Sequence, residues 1–256
     1  MAQTAIEFID VSKKFHNTDY FAVDHVSLKV EEGEFITILG SSGCGKTTLL
    51  KMVNRLYEPD SGQVLLFGED IAKADAVTLR RGIGYVIQQV GLFPHMTVEE
   101  NVAVVPKLLK WDRERISARV DELLTLVELE PGAFKGRYPS QLSGGQQQRI
   151  GLARALAVEP RVMLLDEPFG AIDAITRNGL QDELLKIHGR LKRTFLLVTH
   201  DINEAFKLGT RVVIMNGGRI CQFGSPGEIV KNPSDPFVEQ LIRSARDQER
   251  MWEGLV

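Results

Sequence analysis

The stretch Gly40-Ser41-Ser42-Gly43-Cys44-Gly45-Lys46-Thr47-Thr48 fits the pattern G-x-x-x-x-G-K-[ST], and its surroundings restrict the fold more than any other feature. It follows the apolar, β-branched run Phe35-Ile36-Thr37-Ile38-Leu39 and precedes Leu49-Leu50-Lys51-Met52, which reads as the first turns of a helix. Strand, glycine-rich loop and helix together make a phosphate cradle. The glycines permit backbone conformations that a Cβ resists, so consecutive N–H groups turn inward, and the new helix offers its positive dipole end to the same anion. In that cradle Lys46 reaches the β- and γ-phosphates and Thr47 ligates Mg²⁺. A glycine-rich turn that merely holds a lysine would not need both flanking elements.

A chain of 256 residues can bury a sizeable core, and one nucleotide-binding domain with an inserted subdomain suits that length. The net charge of −3 leaves no electrostatic footprint for nucleic acid, so no nucleic-acid partner is expected. No apolar run approaches the roughly 18 residues of a membrane span, and Met1-Ala2-Gln3-Thr4 lacks the basic and apolar regions of a leader, which places the chain in the cytosol. Two cysteines, Cys44 and Cys221, give neither a disulfide framework nor metal-ligand spacing.

Ile6 to Val11 and Val26 to Val30 alternate apolar and polar residues and predict strands of a half-solvated antiparallel layer. Between them lie Phe15, Tyr20 and Phe21, any of which can stack on a base or pack on its own strand. Glu58-Pro59-Asp60-Ser61-Gly62 turns the chain into a strand at 63–67, and a further strand at Ile83 to Ile87 ends at Gln88-Gln89, on the ligand side of an open α/β sheet. From Val90 to about Glu159 the periodicity is helical. Helices are expected over Val98 to Leu109, Arg113 to Leu129 and Gln146 to Val158, which makes this an α-helical insert in an α/β domain. Its entry, Gly91 to Met96, is an apolar and aromatic segment that either docks a partner or packs locally.

Leu142-Ser143-Gly144-Gly145-Gln146 opens the last helix of the insert. Ser143 is a good cap, and the two glycines leave the helix start open to close approach by an anion, so the chain holds a second helix N-terminus suited to phosphate. Next, the apolar strand Val162 to Leu165 ends in Asp166-Glu167. Two acids at the end of so apolar a strand can divide roles, Asp166 holding Mg²⁺ through water and Glu167 taking a proton from the attacking water. Asp173 leads into a helix reaching about Lys192. The strand from Thr194 ends in Thr199-His200-Asp201, where His200 can donate to a γ-phosphate. A hairpin turns at Asn216-Gly217-Gly218, short helices follow over Ser225 to Asn232 and Pro236 to Arg243, and the polar tail from Ser244 is expected to be loosely held.

These residues together resemble the ATPase subunit of ABC transporters over almost the whole chain. Residues 40 to 47 resemble Walker A, Gln88 the Q-loop glutamine, Leu142 to Gln146 the LSGGQ signature, Asp166 and Glu167 Walker B with its catalytic glutamate, Asp173 the D-loop aspartate and His200 the switch histidine. The resemblance implies a P-loop NTPase core with a mostly parallel sheet, an N-terminal antiparallel layer and the helical insert. Residues 1–89 and 160–243 would form the core, about 90–159 the helical subdomain and 244–256 a tail. It implies ATP and Mg²⁺ as cofactors, with Lys46, Gln88, Glu167 and His200 catalytic. Thr47, Gln88 and Asp166 would hold the metal, and Ser41, Ser42, Gly43, Cys44, Gly45, Lys46, Thr47 and Thr48 the phosphates. Ser143, Gly144, Gly145, Gln146 and Asp173 would complete the site in trans, in a head-to-tail homodimer. For the adenine, both Phe15 and Tyr20 remain open.

Gly91 to Asn101 is similar to importer subunits, which work peripherally on the cytoplasmic membrane face with transmembrane permeases and, indirectly, a solute-binding protein. Tyr85 to His95 and Gly170-Ala171-Ile172-Asp173 resemble the branch serving glycine betaine, choline and related quaternary amines. Members of that branch often carry paired regulatory domains after the ATPase, and this sequence ends at Val256 without them. A soluble ABC ATPase of DNA repair or translation is the competing reading; it would show a long coiled-coil insert or two cassettes, and the sequence has neither. A P-loop small-molecule kinase would leave Leu142 to Gln146 without a purpose.

Overall fold

The computed structural model describes residues 3–16, 18–88, 91–170 and 172–253, the last six by backbone alone. Met1, Ala2, Asn17, Gln89, Val90, Ala171 and 254–256, which fall in stretches read above, lie outside the described residues. The chain forms two compact units, Met1–Ala76 with Leu196–Val256, and Val77–Phe195.

The first unit begins with a four-stranded antiparallel sheet. Strands β1 (Thr4–Lys14), β2 (Phe21–Glu31), β4 (Ser61–Leu66) and β5 (Glu69–Asp70) lie in the order β2-β1-β4-β5. The alternation that predicts β1 and β2 breaks where the register shifts between Phe8 and Val11. Asp10 and His25 both take left-handed φ there, 49° each, and the His25 imidazole meets the Asp10 carboxylate at 2.8 Å. The same unit holds β3 (Phe35–Gly40), β8 (Thr194–Thr199, which begins in the second unit), β9 (Arg211–Asn216) and β10 (Arg219–Gly224), in the order β10-β9-β3-β8. Every residue of β3 is buried, and β3 runs parallel to β9 with Gly40 opposite Met215. A strand covered on both faces reads as continuous apolar sequence, which is why this one stands out before the phosphate loop. Helices α1 (Lys46–Val53), α9 (Ile202–Leu208), α10 (Pro226–Lys231) and α11 (Pro236–Glu253) complete the unit.

The second unit contains α2 (Ala76–Arg81, its first residue in the other unit), and β6 (Ile83–Val86) running parallel to the wholly buried β7 (Val162–Asp166). Its helices are α3 (Val98–Val102), α4 (Val104–Leu108), α5 (Arg113–Leu126), α6 (Pro131–Phe134), α7 (Gly144–Leu156) and α8 (Ala174–Leu191). Among the described residues no helix is long and apolar enough to cross a membrane.

Several expected boundaries are corrected. The helix expected over Val98 to Leu109 is two helices. Pro106 offers no N–H to the Val102 carbonyl and its ring crowds that group, so the first helix stops at Val102. The helix expected to reach Leu129 ends at Leu126, because Glu128 turns left-handed (φ 55°) and Leu129 N–H closes on the Leu124 carbonyl. The last helix of the insert starts two residues early, at Gly144, since Ser143 already caps it. The polar tail continues α11 to Glu253. Val238 and Ile242 bury one face of that helix against Leu39, Val212 and Ile214, and this packing carries the helix past Arg243.

The entry segment 91–97 packs locally around Asn101. Its side chain, fully buried, accepts from Phe93 N–H at 2.8 Å and donates to the carbonyls of Phe93, Met96 and Thr97 at 3.0–3.1 Å. Phe93 stays 40% exposed, with the Arg154 guanidinium 5.8 Å from its ring centroid, so it is available to a partner.

Helix α7 carries a further interaction that the sequence does not advertise. Arg149 donates to the Val127 carbonyl at 2.8 Å, beyond the end of α5. Its Nη2 lies 3.0 Å from Oε2 of Glu183 on α8, at ion-pair distance but without hydrogen-bond alignment. Glu183 is 3% exposed, and burial pushes its carboxyl up to about 7, against the opposing pull of Arg149. A carboxyl raised in the folded state adds stability that is full below its unfolded value and is lost as pH rises through the folded one. Denaturant melts at pH 5.5 and pH 8 should therefore show the wild type losing stability relative to Glu183→Gln across that interval. A constant difference between the two proteins would contradict this account of Glu183.

Candidate functional site

Beyond Gly40 the chain leaves the buried β3 through residues 41–45 and enters α1 at Lys46. Three constraints fix this path. A Cβ on Gly40 would lie 2.2 Å from the Met215 carbonyl oxygen, so a side chain is excluded where β3 meets β9. Gly43 and Gly45 have φ of 78° and 100°, and a Cβ on Gly45 would fall 1.8 Å from the Ala22 carbonyl oxygen. The third constraint is Lys46, which is 5% exposed and whose Nζ donates to the carbonyls of Gly40 and Ser41, both at 2.9 Å. An ammonium buried to this degree needs such partners, and its hold on two loop carbonyls, with Cys44 N–H donating to the Ser41 carbonyl at 3.3 Å, fixes the course of the loop. No side chain caps the start of α1, in contrast to most helices of this chain. Uncapped first-turn amides at the end of a glycine loop suit a phosphate.

Ser41, Ser42 and Gly43 are exposed, while Cys44 is buried with its thiol pushed up by desolvation, which the nearby Lys46 ammonium only partly offsets. That thiol fills space against the loop as a neutral group. Thr47 and Thr48 are half-buried on the first turn of α1. A pocket of about 440 Å³ is lined by Ser41 to Cys44 together with Tyr20, Phe21 and Asp24 and with the 216–218 turn. The two aromatic candidates part company here. Tyr20, 63% exposed, borders this pocket, whereas Phe15 packs edge-on against Tyr57 at 5.3 Å, with Lys13 Nζ 5.9 Å from its centroid. His200 follows the buried β8 directly and is exposed; Asp201 beside it caps α9 by accepting from Asn203 and Glu204 N–H.

In the second unit the structure brings Gln88 and Glu167 together. Asp166, the last residue of β7, is 6% exposed, and the Tyr85 hydroxyl approaches its Oδ2 at 3.5 Å. Glu167 then takes a left-handed φ of 45°, a conformation that costs on the order of 1 kcal/mol for a residue with a Cβ. The kink ends the strand and presents the carboxylate at its end, where Gln88 Nε2 donates to Oε2 at 3.0 Å. Two adjacent acids thus occupy different environments, one buried and one accessible, which is the condition for different roles.

At Ser143 a full capping box forms. Ser143 Oγ accepts from Gln146 N–H at 3.3 Å and Gln146 Oε1 accepts from Ser143 N–H at 3.0 Å. Gly144 has open space beside it, and a Cβ on Gly145 would meet Thr176 Cγ2 at 2.7 Å, so Gly145 lets α7 approach the first turn of α8. Asp173 caps that helix, accepting from Thr176 N–H at 3.0 Å, and this backbone bond holds its carboxyl below the usual range. The cap role of Asp173 and the Tyr85–Asp166 approach escaped sequence reasoning. The first has a recognisable signal, an acid just before a helical run; the second depends on strand register.

The donor types suit the groups that the loop implies. Threonine hydroxyl, glutamine and a single buried carboxylate are hard oxygen ligands, and among the described residues no cluster of three or more His, Cys, Asp or Glu forms a self-sufficient metal site. Donors of these types are the kind that Mg²⁺ takes.

A family model described as ABC transporter matches residues 23–170, more than half of the chain. The chain belongs to the ABC transporter family. Among curated relatives, this ABC transporter sequence is 55% identical over 225 residues to the choline transport ATP-binding protein OpuBA of Bacillus subtilis, covering 88% of the chain and 59% of that protein. It is 53% identical to the osmoprotectant import ATP-binding protein OsmV of Salmonella typhimurium, covering 90% and 60%. The chain thus spans about 60% of the length of these relatives. Among solved structures, the dimeric post-hydrolysis state of the ATP-binding cassette MJ0796, bound to ADP and Pi, superposes with a TM-score of 0.77 at 35% identity, over 86% of this chain and 98% of that one. The α/β fold of an ABC ATPase cassette is thereby established.

The separate placement of the aromatics leads to a direct comparison. Tyr20→Ala is expected to weaken ATP binding about fivefold or more, in line with about 1–3 kcal/mol for a base stacked on an aromatic ring, while Phe15→Ala changes it less than about twofold. Titration of both variants with ATP checks this; the reverse ranking would assign the base to Phe15.

Proposed function

We propose that this chain binds ATP with Mg²⁺ and hydrolyses it as the nucleotide-binding subunit of an importer for a quaternary amine such as glycine betaine or choline. Two copies would pair head to tail on the cytoplasmic face of the membrane, against transmembrane permeases fed by a solute-binding protein. In this reading residues 1–89 and 160–243 act as the catalytic core, about 90–159 as the helical subdomain, and 244–256 as its C-terminal extension.

The observation that carries the proposal is the left-handed Glu167 at the end of a fully buried strand, its carboxylate held by Gln88. A phosphate-binding protein without hydrolysis has no use for an accessible carboxylate kept in a strained backbone at that point. In the proposed mechanism Lys46 exchanges its loop carbonyls in part for phosphate oxygens, and the amides of residues 43–48 together with the uncapped start of α1 hold the rest of the anion. Thr47, Gln88 and Asp166 would hold Mg²⁺, which neutralises developing phosphate charge when bound. Glu167 accepts the proton of the attacking water, Gln88 keeps its carboxylate oriented, and His200 donates to the γ-phosphate.

The capped start of α7, at Ser143 to Gln146 with Gly144 open, offers a second set of amides to the γ-phosphate. Asp173 shapes the turn that precedes α8 beside it. A ligand that contacts both halves favours the paired state by its differential affinity, which is how hydrolysis can drive opening. The solute assignment is supported by relatives that are themselves named for choline and osmoprotectant transport. The partly exposed Phe93, beside Gln88 in sequence, is the surface proposed for the permease.

Glu167→Gln is expected to bind ATP with near-wild-type affinity and to hydrolyse it at least ~100-fold more slowly, since general-base catalysis contributes about 10²–10⁴-fold. His200→Ala should slow hydrolysis while leaving binding within about twofold. Steady-state hydrolysis and ATP titration on the same samples decide: a Glu167→Gln rate near that of the wild type removes Glu167 from the role of base.

A further inference from the structure

We propose that Gly218, in the turn between β9 and β10, is a positioning residue for the phosphate loop, working through a backbone brace that ends on the Cys44 carbonyl. The proposal rests on the loop being the nucleotide site.

A loop whose N–H groups turn inward must turn carbonyls outward, and each of these needs a donor if it is sheltered from water. Lys46 supplies donors for Gly40 and Ser41. The Cys44 carbonyl, at a buried residue, is served from elsewhere in the chain: Gly218 N–H donates to it at 3.2 Å. The Gly218 carbonyl in turn accepts from Asp24 N–H at 2.9 Å, so one residue, through the peptides on either side of it, joins the loop to β2. Arg219 Nε closes the brace by donating to the Asp24 carboxylate at 2.6 Å, where the Asp24 side chain is only 14% exposed.

Strand β2 presses on both ends of this brace. A Cβ on Gly45 would strike the Ala22 carbonyl oxygen, and a Cβ on Gly218 would lie 2.8 Å from that of Phe21. A hairpin turn alone accounts for positive φ at Gly217 (52°) and Gly218 (82°). It accounts for neither the bond to Cys44 nor the close approach to Phe21, and Gly217, with open space around its Cβ position, has no such contact. The brace therefore holds the peptide between Cys44 and Gly45, whose N–H belongs to the cradle. A shift of that peptide moves an amide relative to a phosphate oxygen and weakens the charge-assisted bond between them, which costs affinity.

Gly68 provides a matched control. Its φ is 83° and it has open space around it, in the turn between β4 and β5, so alanine there meets the same backbone strain without the close approach. ATP titration, steady-state kinetics and thermal unfolding without nucleotide would be run on the wild type, Lys46→Ala, Gly218→Ala and Gly68→Ala. Gly218→Ala should raise the Kd for ATP about tenfold or more with kcat at saturation within about twofold, and Gly68→Ala should leave Kd within about twofold. Equal Kd values for the two alanine variants would overturn the brace. Should Gly218→Ala fail to fold, Asp24→Ala takes its place with an expected rise in Kd of about threefold, consistent with a charge-assisted bond of modest net strength, and an unchanged Kd overturns the proposal. Wild-type protein that binds ATP no better than Lys46→Ala would overturn the nucleotide reading itself, and the brace with it.

Discussion

The contact on which the first unit depends is the burial of the Lys46 ammonium against the carbonyls of Gly40 and Ser41. A charge at 5% exposure is sustained only by oxygens placed around it, and here the oxygens come from the loop that the charge serves. That requirement reaches outward. It fixes Gly40 against β9, Gly45 against β2 and the Cys44 carbonyl against the 216–218 turn, so the strands of two sheets and one hairpin share the work of holding a cradle five residues long. A phosphate entering the proposed site would meet a backbone already held in place, as in a preorganised electrostatic site.

The second unit meets a different constraint by the same means. Strand β7 is buried along its whole length, and charge can appear only at its end. Asp166 remains sheltered and Glu167 is turned out by a left-handed residue. Helix starts then supply what side chains do not: Ser143 closes its own capping box, Gly144 leaves open space beside it, and Gly145 lets Thr176 come close. Arg149 and Glu183, beneath that helix, hold α7 to α8 at the expense of a poorly satisfied buried carboxyl.

Local features of this molecule were legible in the sequence and relational ones were not. The phosphate loop, the acid pair after an apolar run and the Ser143 cap are each contained in fewer than ten residues, and their chemistry follows from spacing alone. Helix ends were misjudged where a single residue overrides periodicity, as Pro106 does between α3 and α4 and left-handed Glu128 does after α5. Polar composition hid the continuation of α11, because Val238 and Ile242, with Phe237 and Leu241, anchor it and their partners lie some 200 residues earlier and some 30 earlier in the chain. The different surroundings of Phe15 and Tyr20 were beyond sequence for the same reason: Tyr57 packs against one, and the other borders a pocket assembled from three separate segments.

The central claim is that one chain carries two half-sites, Lys46 in one and Ser143 in the other, which meet only between copies. Complementation tests it most directly. Lys46→Ala and Ser143→Arg proteins, each without ATPase activity alone, are mixed and the hydrolysis rate is followed. Head-to-tail pairing predicts recovered activity, because a mixed dimer contains one site built from an intact Lys46 of one copy and an intact Ser143 of the other. A mixture as inactive as its components, under conditions in which mixed dimers are demonstrated, would contradict the account.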